Sequence, residues 1–249
     1  MNEIKYKRVF LKLSGEALAL KGDDGSVKEI FDDSVIDDIA GDICECASLG
    51  AEIGIMIGAG NIWRGRMGKN LDHAKADHMG MLATTINCLR LQDAIQKKGC
   101  EAIVMTTVAM NGFTEVFSHE KAKEYLRAKR PVIFGCGAGV PFISTDTAGV
   151  IKALEIGAEI ILMAKNIDGV YTADPNVNKD AKRFRVISYK ECLERELRAT
   201  DASASAIAQD NKIDTLVFSL KEKDAVKHAV CGLAEGTLIT AEHIKSELY

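Results

Sequence analysis

Six short apolar runs set the limits on how this chain can fold: VFLKL at 9–13, IGIMI at 53–57, AIVM at 102–105, VIF at 132–134, IILM at 160–163 and LVF at 216–218. Runs of this length that are apolar on both alternating faces suit strands covered on both sides. Between them lie helical patterns. Phe31, Val35, Ile36, Ile39, Ile43 and Ala47 keep to a 3.6 period, as do Met79, Leu82, Ala83, Ile86 and Leu89. Strand and helix alternate, which predicts an α/β protein with an open, mostly parallel central sheet sandwiched by helices. Residues 236–240 (GTLIT) read as a short closing strand, and 21–28 and 173–185 as loops.

At 249 residues and 47% hydrophobic, the chain can bury a substantial core, and one domain over 1–249 is expected. The formal charge is -4 and the pI about 5.8, so neither nucleic acid nor an anionic membrane is indicated as partner. No apolar segment approaches the roughly 20 residues of a membrane helix, and the N-terminal residues lack a signal core, so a cytoplasmic location is expected. The 7 cysteines include no C-x-x-C pair and fall mostly within apolar patterns, as small core residues of a reducing compartment do. The 5 histidines lack a zinc-ligand spacing.

Four predicted strand ends carry phosphate chemistry. The first run delivers Lys12, Leu13, Ser14 and Gly15 into one turn, where glycine lets backbone N–H groups approach an anion and lysine adds a mobile charge. The second ends in Gly58-Ala59-Gly60, with Arg64 offering a planar fork for phosphate oxygens. The third, residues 135–147, gathers four small residues, Ser144, Thr145 and Asp146 ahead of a helix. Asp146 either caps that helix or sits among the phosphates. In the fourth, 161–175, Tyr171 either stacks on a base or packs the turn. A complete G-x-G-x-x-G is missing because Trp63 holds the third glycine's place, and no G-x-x-x-x-G-K-[ST] occurs. Ligands of open α/β sheets collect at the carboxyl ends of strands, so the four ends point to one crevice and to phosphoryl transfer.

The runs KLSGEAL at 12–18, GAGNIWRG at 58–65, DHMGMLAT at 77–84, DGVYTADP at 168–175 and EGTLIT at 235–240 resemble the amino acid kinase family almost end to end. DHMGMLAT resembles the branch whose acceptor is UMP. The resemblance implies the amino acid kinase fold, with an acceptor lobe at about 1–150 and an ATP lobe at about 151–249. It implies transfer of the ATP γ-phosphoryl group to UMP, giving UDP and ADP in pyrimidine nucleotide biosynthesis, with Mg²⁺ carried by ATP. A homohexamer and inhibition by UTP are also implied. Activation by GTP stays open, because the stretch tied to it reads KGDDGSV at 21–27.

Carried over residue by residue, the catalytic set is Lys12, Asp146 and Arg64. ATP would meet Lys12, Leu13, Ser14, Gly15, Gly60, Arg64, Asn166, Tyr171 and Asp174. UMP would meet Ala59, Asp77, Ala138, Gly139, Val140, Pro141, Phe142, Ile143, Ser144 and Thr145, with Asp201 as a supporting carboxylate. Ala59 stands where the family commonly has glycine, and Ala138 and Val140 where it has threonine and asparagine. The alternatives are a nucleotide-binding relative without turnover and a relative with a carboxylate or carbamate acceptor.

Overall fold

The computed structural model describes residues 3–22, 25–63, 70–175, 177–197, 199–242 and 244–249. The predicted runs form the parallel heart of a ten-stranded sheet. They are β1 (Arg8–Leu13), β4 (Glu52–Ile57), β5 (Ile103–Thr106), β7 (Val132–Gly135), β8 (Ile160–Lys165) and β10 (Asp214–Ser219). The remaining strands are β6 (Glu115–Val116), β9 (Phe184–Ser188), β11 (Thr237–Thr240) and β12 (Glu247–Leu248). Their order is β12-β9-β11-β10-β8-β1-β4-β7-β5-β6, parallel from β10 to β6. β11 is the predicted closing strand and runs antiparallel to β10.

β1 lies between β4 and β8, and Val9, Phe10, Leu11 and Leu13 are fully buried. Its alternate side chains feed two cores. Val9, Leu11 and Leu13 face α1 (Asp33–Ser48), α2 (His73–Lys97) and α7 (Ala225–Val230), while Phe10 faces α3 (His119–Arg127), α4 (Thr145–Ile156) and α6 (Ala202–Asp210). This is a sheet with helices on both faces, as the continuous apolar runs require. No described helix is long and apolar enough to cross a membrane. All seven cysteines are free thiols, five of them buried.

Three expectations are corrected. The segment read as a loop at 21–28 contributes to a two-stranded hairpin, β2 (Leu20–Lys21) with β3 (Val27–Glu29). The loop expected to run to 185 ends earlier, because Phe184 begins β9 and Tyr171 bridges Arg183. On α2 the predicted apolar face is split: Ala83 is buried, but Met79, Leu82 and Ile86 are 40%, 55% and 47% exposed. The buried face instead carries Ala76, Thr84, Asn87, Cys88, Leu91, Ala94 and Ile95. Small and polar side chains are needed there because α2 packs across strand-end turns whose backbone groups require hydrogen-bond partners.

At the amino ends of the strands an ion cluster built around the buried Glu52 clasps the sheet. Arg8 Nε donates to Glu52 Oε2 at 2.6 Å, Lys129 Nζ lies 3.1 Å from Oε1, and Arg8 also donates to the Ile156 carbonyl that ends α4. Burial alone would raise the Glu52 carboxyl, but Arg8 and Lys129 outweigh it and hold it below the ordinary value. Glu52→Gln should therefore lower stability by about 1–2 kcal/mol near neutrality, measured by urea or thermal melts. The contribution is complete above the unfolded glutamate value of ~4.3 and is lost as pH falls through the depressed folded pKa, so wild type and variant should converge in acid.

Candidate active site

Lys12 is the one charged residue within the buried stretch of β1, and only 7% of it is exposed. Its stem passes α4 where Gly149 has no side chain: a Cβ there would lie 3.6 Å from Lys12 Cγ and 3.3 Å from the Phe10 ring. The Lys12 ammonium ends against Asp146 Oδ1 in a direct ion pair, and Lys165 Nζ, from the end of neighbouring β8, lies 4.0 Å from Oδ2. Burial would raise the Asp146 carboxyl, yet the two lysines together pull it below the ordinary carboxylate range. Burial pushes the Lys165 ammonium down, against the pull of Asp146, and its Nζ also donates to the Ala199 carbonyl.

Asp146 is not the cap of α4. Ser144 takes that role, its Oγ accepting from Asp146 N and Thr147 N at 3.1 Å each. The carboxylate is thereby left for the lysines, in a first helical turn whose dipole favours negative charge. Ser144 Oγ donates in turn to Asp201 Oδ2, and Thr147 Oγ1 donates to Oδ1 at 2.8 Å. Asp201 itself caps α6 by accepting from Ala204 N, so one carboxylate ties the starts of two helices.

The two glycine turns nearest Lys12 meet closely. A Cβ on Gly15 would fall 2.2 Å from the Gly58 carbonyl oxygen, which only glycine permits. Ala59 keeps φ below zero, so alanine is tolerated where the family commonly has glycine. In the third loop Cys136, Gly137, Gly139 and Phe142 all take left-handed φ, from 53° to 79°. Arg64 lies outside the described residues.

Three hollows adjoin these groups. A cavity of about 200 Å³ is lined by Ala59, Gly60, Asp77, Ala138, Val140, Ile143 and Thr145, together with Trp63, Met81 and Thr84. Asp77 sits in the second turn of α2, and its Oδ2 accepts from Phe142 N at 2.8 Å. The Phe142 ring, 73% exposed, stacks on His73 outside the cavity lining. Gly139, Pro141 and Ser144 are likewise not among the lining residues. A crevice of about 480 Å³ holds Lys12, Ser14, Glu16, Asp146, Lys165 and Asn166. The third hollow, about 540 Å³, is lined by Tyr171, Asp174, Arg195, Leu197 and Ala199 and shares Lys165 with the crevice. Tyr171 hydroxyl donates to Asp168 Oδ1 at 2.9 Å, and Arg183 holds Oδ2 at 2.6 Å.

Sequence reading missed Lys165, although it ends an apolar run as Lys12 nearly does. It also missed the wall formed by Arg195, Glu196, Leu197 and Ala199, which carries no motif and is brought in by tertiary packing alone. Among the described residues no three-ligand metal cluster exists. Asp146 faces two ammoniums, and Asp201 caps α6 while accepting from Ser144 and Thr147.

A crevice lined by the buried Lys12 and the partly buried Lys165, at the carboxyl ends of a parallel sheet and beside two further cavities, fits a group-transfer enzyme. The model of the amino acid kinase family matches residues 7–219, and the chain belongs to it. Among solved structures, UMP kinase from Bacillus anthracis aligns with a TM-score of 0.90 and 36% identity, over 98% of this chain and 99% of that one. UMP kinase from Ureaplasma parvum aligns with a TM-score of 0.88 and 32% identity, over 95% and 100%. Uridylate kinase from Archaeoglobus fulgidus, at 24% identity and a TM-score of 0.69 over 93% and 99%, shares the fold.

The ion cluster makes a direct prediction. Because the Asp146 carboxylate favours the charged form of Lys165, Asp146→Asn should lower the Lys165 pKa further. Lysine labelling as a function of pH, read by mass spectrometry, should find Lys165 reactive at lower pH in the variant.

Proposed function

We propose that the chain transfers the γ-phosphoryl group of ATP to UMP, giving ADP and UDP, and so supplies a pyrimidine nucleoside diphosphate. The observation that carries this reading is the Lys12–Asp146–Lys165 cluster, flanked on one side by the cavity with Asp77 and on the other by the hollow with Tyr171 and Asp174. Acceptor groups come from the first part of the chain, about 1–150, and most donor groups from about 151–249. Adenine lies beside Tyr171, whose hydroxyl is anchored on Asp168, with Asp174 and Asn166 along the donor side. UMP enters the smaller cavity with its ribose toward Asp77 and its phosphate toward the 58–60 turn and Arg64. Ala138 and Val140 lack polar side chains, so that loop recognises UMP through backbone groups.

The transferring phosphoryl group spreads charge over its oxygens as its bonds loosen. Lys12 and Lys165 supply positive charge that is already fixed in place, which lowers the barrier without reorganisation in the transition state. Asp146 holds the ammoniums apart and oriented. Its depressed pKa makes it a poor proton acceptor, and none is demanded, since a nucleoside monophosphate is largely ionised near neutrality. Bound Mg²⁺ would neutralise the donor phosphates, held by them with a supporting carboxylate. The family resemblance further supports a homohexamer, UTP inhibition and a cytoplasmic setting. The exposed ridge of Met79, Leu82 and Ile86 gives a second copy an apolar face to cover.

ADP release measured with UMP, CMP, AMP and GMP tests the assignment. Turnover should be strongly selective for UMP; equal rates with CMP or AMP would remove the specificity, and tight UMP binding without ADP release would mark a non-catalytic relative. Lys12→Ala should reduce kcat by roughly 100-fold or more while the KM for UMP moves little. Asp77→Asn should chiefly raise the KM for UMP, by about tenfold, and leave the KM for ATP unchanged.

A further inference from the structure

We propose that Asn61 and Asn87 are positioning residues for phosphoryl transfer, acting as one buried amide pair that sets the shape of the 58–60 turn. The inference rests on the UMP kinase reading above and deepens it.

A turn that receives an anion must keep its carbonyl oxygens engaged inside the protein, because a carbonyl turned toward phosphate repels it. Two carbonyls here are so engaged. The Ala59 oxygen accepts from Ile62 N at 2.9 Å and Trp63 N at 2.8 Å. The Gly58 oxygen accepts from Asn87 Nδ2 at 2.8 Å, while Gly58 N donates to the Leu13 carbonyl at the end of β1. Asn87 thus supplies to the Gly58 carbonyl, from a side chain, what Ile62 and Trp63 supply to the Ala59 carbonyl from the backbone.

The amide of Asn87 is fully buried and Asn61 nearly so. Asn87 Nδ2 also donates to Asn61 Oδ1 at 2.8 Å, and Asn61 Nδ2 donates back to Asn87 Oδ1 at 3.0 Å and to the Ile30 carbonyl at 2.8 Å. Both amide nitrogens therefore donate twice. The backbone carbonyls of Gly58 and Ile30 can only accept, which fixes which way round each amide sits. A buried polar pair so completely satisfied imposes one geometry, where two leucines of similar size would fill the space without orienting a carbonyl.

What that geometry controls is the spacing of the two phosphate-facing turns. The Gly15 backbone rests against the same Gly58 oxygen and against Asn61 Oδ1, at 2.2 and 2.8 Å from where a Cβ would stand. Moving the Gly58 carbonyl therefore shifts the turn after β1, and with it the setting of Lys12, relative to the turn after β4. Through Ile30 the pair also fastens the exit of the β2–β3 hairpin to the same point. Neither asparagine lines the hollows described above, so their influence on transfer passes through the turns.

The test measures kcat, the KM for UMP and the melting temperature on the full chain for wild type, Asn87→Asp, Asn87→Ser, Asn61→Ser and the Asn61→Ser/Asn87→Ser double variant. Asn87→Asp keeps the shape but loses both donors and sets a carboxylate oxygen against Gly58. Its kcat per folded molecule should fall about 30-fold with the KM for UMP within about threefold, the signature of misplacement. Asn87→Ser should lose about fivefold, and it decides the matter if Asn87→Asp does not fold. Because the amides act together, the double variant should be no more than about twofold worse than the poorer single serine variant. A lowered melting temperature with kcat within twofold of wild type in the Asn87 variants would overturn the inference, as would a loss confined to KM. Wild type that fails to phosphorylate UMP would overturn the functional reading and this inference together; active wild type with unaffected variants would overturn only the inference.

Discussion

Placing an ammonium at the end of the central strand is the constraint from which the rest of the site follows. Lys12 is buried, and a buried charge is tolerated only when paired. The pairing demands Asp146, and Asp146 is available because Ser144 takes over the capping of α4. Ser144 is in turn held by Asp201, which starts α6. Lys165 then adds a second positive charge against a carboxylate that already faces one. Altering any member of this series leaves a charge or a helix end without its partner, so the series behaves as a unit.

The two ends of the sheet divide their labour. At the amino ends, Arg8, Glu52 and Lys129 close a cluster that joins β1, β4 and the end of α4 and opens onto no hollow described above. At the carboxyl ends, similar groups lie in a crevice open to ligands. The difference lies in the compensation. Glu52 is answered by a cation on each oxygen, one of them an arginine that also satisfies a helix carbonyl, whereas in the crevice Lys12 and Lys165 share the carboxylate of Asp146. Asp42 is a third solution: burial raises its carboxyl, and it is kept in place by accepting from Val226 N and Lys227 N at the start of α7.

Much of this was legible in the sequence, for identifiable reasons. The parallel strands stood out because strands buried on both faces cannot disguise their composition. Lys12, Gly15, Gly58 and Asp146 stood out because strand-end turns use few residue types. α2 was misread in part because its large apolar residues point outward while alanine, threonine and asparagine pack inward, and periodicity weighs large residues most. β9 and the hairpin were missed because β9, set between β12 and β11, and the very short strands of the hairpin are defined by their pairing, which a local pattern does not reveal. Lys165, Asn61 and Asn87 were unreadable for another reason: each owes its role to partners on other elements, Lys165 to Asp146 and Ala199, Asn61 and Asn87 to each other and to Ile30 and Gly58.

That distance has a consequence for how the molecule is made. β1 gains one neighbour when β4 forms, but its other edge pairs Val9 with Ile160 and Leu13 with Ala164, about 150 residues later in the chain. A nascent chain that has reached α2 can bury one side of β1 while the other side stays an unpaired apolar edge, open to mispairing with other chains. The same late strand brings Lys165. Closure of the sheet and completion of the charge cluster are therefore one folding event, and a molecule that has not finished folding cannot hold the transfer site.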